Sequence, residues 1–155
     1  MTKECLFARA STIKLPSLQA ATTYDNKSEA LVAKINQLMT QREDLERLIG
    51  KGNSQMMEDN HRNHARFMNS IFRHYDAGVF VDTILWVFRA YRTHGFNLSY
   101  WPAQLDTWVQ IMKSELPEEI FKELYPFYEF MIVNQPAFAE LSDGFVADAK
   151  IGHHS

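Results

Sequence analysis

The chain reads as an all-α protein, a helical bundle led by a coiled-coil-like antiparallel helical hairpin. Three observations predict this. Along two successive stretches the seam residues recur at spacings of three and four: Leu31, Ile35, Leu38, Arg42, Leu45, Ile49, and then Met57, His61, His64, Met68, Ile71, Tyr75. That is the period of a helix face laid along a partner. The chain has only six glycines and five prolines, and after residue 50 they fall mostly where helices should start or stop. The stretch from Val79 to His94, held between Gly78 and Gly95, is apolar on more than one helical face. A helix of that kind is expected to be wrapped by neighbours, as the central post of the domain.

At 155 residues the chain is long enough for one domain with a core of its own. Residues 1–27 mix Lys, Arg, Ser, Thr and Ala without a continuous apolar run, and are expected to form a flexible arm. Residues 28–142 form the domain, with 28–76 the hairpin and 77–142 an aromatic-rich bundle; all aromatics except Phe7, Tyr24 and Phe145 lie in Phe67–Phe138. Residues 143–155 read as a tail, with His153 and His154 able to catch metal ions only adventitiously.

Ser28 is the expected N-cap of the first long helix, which runs to Ile49. The Gly50–Ser54 segment, with glycines at 50 and 52, should reverse the chain into a second helix from Ser54 to Tyr75. A reversal there pairs seam residues whose numbers sum to about 106, which sets Arg42 level with His64. Asp76 should cap the central helix and Gly95 end it. Ser99 and Pro102 mark the next start, with Trp101, Leu105, Trp108 and Met112 as its apolar stripe. Pro117-Glu118-Glu119 opens another helix, which Pro126 should kink or divide.

Charge and composition exclude several functions. Net charge is -3, and no basic face is offered to phosphates, so nucleic acid is not an expected partner. No apolar run approaches the roughly 20 residues that span a bilayer, so no membrane is expected either. The single cysteine, Cys5, cannot form an internal disulfide and suits a reducing, cytoplasmic setting. Neither a Ser-His-Asp order, a glycine-rich phosphate loop nor a His-Glu-x-x-His motif occurs.

The candidate site is His61, His64, Arg42 and Met68. An imidazole beside Met57, Met68, Phe67 and Phe72 has the makings of an axial ligand with an apolar wall, so haem or another tetrapyrrole is the cofactor to consider. Met and aromatic stripes at helical spacing are also what plain core looks like. Glu58 and His61 match one Glu-x-x-His of a di-iron bundle, but no second copy accompanies them. Arg42 beside His64 would disfavour imidazolium and suggests a pH-sensitive seam, against a solvated pair. Arg89, Arg92 and His94 could hold an anion, or pair with the acidic residues around Glu118 and Glu129. The expected function is a non-enzymatic cytoplasmic regulatory or interaction module that engages another protein or a second copy. The alternative is a haem or tetrapyrrole sensor using His61 or His64.

Overall fold

A computed structural model describes residues 1–143, and every regular element among them is an α-helix. The first, α1 (Lys3–Ala10), starts where Thr2 accepts a hydrogen bond from the Cys5 amide, and buries Leu6 and Ala10. Next comes α2 (Leu18–Thr40), begun by Ser17. The Ser17 hydroxyl accepts from the Ala20 amide, while its own N–H and hydroxyl reach the Glu123 carboxylate at 2.8 and 2.9 Å.

The expected flexible arm is therefore corrected: residues 3–10 and 18–27 are helical, and Leu6, Ala20, Ala21 and Tyr24 are buried. The sparse apolar residues of this segment fall at helical spacing, and full burial of one Leu is worth about 1.5–3 kcal/mol. Ser28 is no cap either. It sits inside α2 with its hydroxyl on the Tyr24 carbonyl.

Helix α2 ends at Thr40, and a short α3 (Leu45–Ile49) intervenes before α4 (Ser54–Arg73). The two long helices run antiparallel, but in a different register from the expected one. His61 meets Asn36, Asn69 meets Ser28 and Arg73 meets Asp25, so paired numbers sum to 97 or 98. The physical reason is the length of the connection. The chain reverses over residues 41–53, not at the glycines alone, which slides the helices by about nine positions and removes Arg42 from the seam. Gly50 and Gly52 take φ of 84° and 80°, and Asn53 Nδ2 ties the turn to the carbonyls of Ile49 and His94.

Asp76 caps α5 (Ala77–Thr93) through the Val79 amide, and Gly95 follows with φ 96°. Both match expectation, but the placement of α5 does not. It packs on α1, while Val79 and Trp86 stand 51% and 64% exposed, so it has an open face. The central post is α2, which packs on α4, α6 (Tyr100–Glu115) and α7 (Glu118–Val133). Small residues, Ala20 and Ala21, and a stripe of Tyr24, Leu31, Ile35 and Met39 suit α2 to that place despite its lower apolar content.

Pro126 lies inside α7 without dividing it, and residues 135–143 add a last helical stretch. Arg92 reaches Ser142 and Asp143 on that stretch in place of the expected glutamates. The tail beyond, 144–155, with His153 and His154, lies outside the described residues. Among the described residues no helix is long and apolar enough to cross a membrane.

Candidate functional site

The inner face of α4 carries polar residues where a core face would ordinarily be apolar. Asn60 and His61 are 4% and 0% exposed, and His64 one turn on is only partly accessible. Buried polar groups require partners, and two networks supply them.

In the first, His61 Nδ1 lies 2.6 Å from Asn36 Oδ1 on α2, and His61 Nε2 lies 3.2 Å from the Tyr100 hydroxyl on α6. Tyr100 also donates to Asn60 Oδ1 at 2.8 Å, and that oxygen accepts from Gln104 Nε2 at 3.0 Å. In the second, His64 Nε2 lies 2.8 Å from the Tyr128 hydroxyl on α7, which is 3.1 Å from the Tyr24 hydroxyl on α2. Trp108 separates the two, with its ring 4.7 Å from His64 and 6.3 Å from His61.

Burial sets the electrostatics. It lowers both histidines to about 3, and for His64 the neighbouring His61 adds to the effect, so both rings are neutral near pH 7. The same burial pushes the Tyr24, Tyr100 and Tyr128 hydroxyls above their usual range. Every member of both networks is thus uncharged, and the arrangement is one of hydrogen-bond direction.

Beside these networks a cavity of about 260 Å³ opens between α4, α5 and α6. Its apolar wall is made by Phe67, Ile84, Phe88, Trp101, Leu105 and Met131. Asn60, Asn63, His64, Thr83 and Gln104 give it a polar side, and among the described residues no charged side chain lines it. Trp86, at 64% exposure, stands at its opening.

Of the four candidate residues, the structure brings only His64 to the cavity wall. His61 is behind it with both ring nitrogens engaged, and Met68 is fully buried in the core. Arg42 is elsewhere, held to Asp44 by two hydrogen bonds of 2.8 and 3.0 Å. The expected Arg42–His64 seam is corrected, because the register of α2 on α4 does not allow it. Desolvation, with a smaller contribution from His61 and none from Arg42, is what keeps His64 neutral. A tetrapyrrole gains little support: the volume falls below the roughly 300–1,000 Å³ usual for drug-sized ligands, and His64 Nε2 is held by Tyr128. Among the described residues no group of three His, Cys, Asp or Glu side chains could hold a metal ion.

Sequence reasoning placed Asn60 beside the histidines but missed Tyr24, Asn36, Tyr100, Gln104 and Tyr128. One signal was legible: Tyr100, Gln104 and Trp108 recur every fourth residue, so a glutamine stands in an aromatic stripe beside the one chosen. Comparison with family models, with curated proteins and with solved structures finds no match for this chain.

Proposed function

We propose that the chain is a non-enzymatic regulatory module whose effector is a small, neutral, mainly apolar molecule held in the α4–α5–α6 cavity. The observation that carries this is the cavity itself: about 260 Å³, apolar on most sides, lined by no charged side chain among the described residues, and polar at Asn60, Asn63, His64, Thr83 and Gln104. Concave apolar sites with a few placed polar groups are where small ligands bind. A dry apolar cavity of about 150 Å³ suffices for benzene. The single cysteine suits a reducing, cytoplasmic setting for such a module.

Trp86 and Trp101 line the cavity, so occupancy is expected to change tryptophan emission and raise the unfolding midpoint with ligand concentration. Titrating benzene and naphthalene into the full chain tests this. Neither an emission change nor a rise in midpoint up to the solubility limit of both would overturn it.

A second reading rests on a different observation. Phe7 on α1 and Val79 and Trp86 on α5 are 48%, 51% and 64% exposed, on two helices that pack together. Such a surface supports engagement of a protein partner or a second copy. Light scattering across a concentration series distinguishes self-association from a monomer that awaits another protein.

A further inference from the structure

We infer that the cavity's occupant is a flat aromatic molecule of one or two rings bearing a hydrogen-bond acceptor, and that His64 Nδ1–H is the donor that receives it. This rests on the reading of the cavity as a ligand site and narrows it to a chemical class.

Size comes first. If benzene fills about 150 Å³, then 260 Å³ accommodates roughly ten non-hydrogen atoms, the content of two fused rings. Shape follows from the walls, where Phe67, Trp86, Phe88, Tyr91 and Trp101 all contribute aromatic surface. Rings of this kind favour another ring in offset or edge-on contact. Charge is disfavoured, since among the described residues no charged side chain lines the site to offset the desolvation of an ion.

The acceptor requirement comes from proton direction. The Tyr24 hydroxyl is fully buried, and among the described residues its one partner is the Tyr128 hydroxyl. Each hydroxyl has one proton to give. If Tyr24 donates to Tyr128 and Tyr128 to His64 Nε2, both protons are used. The reverse direction strands the Tyr24 proton in the core, which is the costly arrangement. His64 Nε2 therefore accepts, and the proton of its neutral ring is on Nδ1. That nitrogen has no partner among the described residues, and His64 lines the cavity. Trp101 lines it too, but its indole N–H has no accessible surface and is closed to a ligand. The donor at this wall is His64, and it calls for an acceptor on the ligand. A ring bearing N–H would turn away from His64 to an acceptor on Asn63, Thr83, Tyr91 or Gln104.

Calorimetric titration of the full chain at pH 7.5 with naphthalene, quinoline and indole tests this, since the three are nearly equal in size and differ in hydrogen bonding. Quinoline is expected to bind about tenfold tighter than naphthalene, the factor for one added hydrogen bond, and tighter than indole. In His64→Leu the quinoline preference should vanish while naphthalene still binds. Should that variant not fold, Tyr128→Phe, which frees the imidazole to take either tautomer, should narrow the preference severalfold. Equal binding of all three compounds leaves the cavity reading standing and overturns the acceptor inference. Tightest binding of indole overturns it as well, and a quinoline preference that survives His64→Leu removes His64 as the donor. Failure of all three to bind overturns this inference together with the ligand-site reading.

Discussion

Acidification should unfold this protein through His61 and His64, and the loss can be worked out from their burial. An unfolded histidine has a pKa of about 6.5. In the folded chain burial lowers both to about 3. The unfolded state therefore binds their protons first. Stability from this source is whole above pH 6.5 and is lost as pH falls from there towards 3. Between pH 7 and pH 5 each histidine removes about 2 kcal/mol, so the pair removes about 4 kcal/mol, with a limiting slope of roughly 2.7 kcal/mol per pH unit. The figure does not depend on how deep the depression runs, because any folded value below about 4 gives nearly the same loss by pH 5. Water reaching His64 through the cavity reduces its share, so the sum is an upper bound. Against a typical stability of about 5–15 kcal/mol this is a large fraction. Guanidinium unfolding at pH 7, 6 and 5 measures it. Each of His61→Gln and His64→Gln should halve the slope, whatever it does to stability at pH 7, and the double variant should be nearly flat. A double variant as steep as the parent chain would refute the assignment of the acid response to these two rings.

Three further outcomes can be checked by chemical unfolding. Gly50 has φ 84° and ψ 159°, a region reserved for glycine, and a Cβ there would stand 3.3 Å from the Gly95 carbonyl oxygen. Gly50→Ala should cost about 1–3 kcal/mol or more, whereas Gly52→Ala, with open space around it, should show the backbone cost alone. Leu6→Ala should cost about 2–5 kcal/mol, since Leu6 is fully buried; a change within 0.5 kcal/mol would mean that α1 is not docked. Tyr24→Phe should cost about 0.5–1.5 kcal/mol, the hydrogen bond its hydroxyl gives Tyr128, because Tyr128 still donates to His64.

The helices were legible in the sequence because they depend on local signals. Asp76, Gly95 and Pro117 each act within a turn of their own position, and α5 and α7 start or stop there. By contrast, α1 and the first turns of α2 carry too few apolar residues to announce themselves. The partners of the helices were not legible, for two reasons. Apolar content does not rank burial: Val79 and Trp86 make α5 look wrapped, yet they face out, while the modest α2 is packed on three helices. Register is set by connection length, and ending α2 at Thr40 in place of Ile49 was enough to part Arg42 from His64. The two histidines were found because imidazole on a seam is conspicuous. Their tyrosine and amide partners come from α2, α6 and α7, far apart in sequence, and only assembly brings them together.

The cavity itself can be tested by a substitution whose sign is informative. An unfilled interior gap costs about 24 cal/mol per Å³, so 260 Å³ represents at most roughly 6 kcal/mol, less in proportion to its opening at Trp86. A chain shaped for stability alone would fill part of it with a larger side chain, and Leu105, 4% exposed on the wall, is well placed to do so. Leu105→Trp adds about 60 Å³, which should raise stability by roughly 1.4 kcal/mol and abolish binding of two-ring ligands together. Were the space not a standing cavity, the same change would overpack the core and lower stability by about 1–3 kcal/mol. Equilibrium unfolding of this variant thus separates a standing cavity from a close-packed core. A gain in stability joined to a loss of binding shows that the two-ring ligands occupy this space.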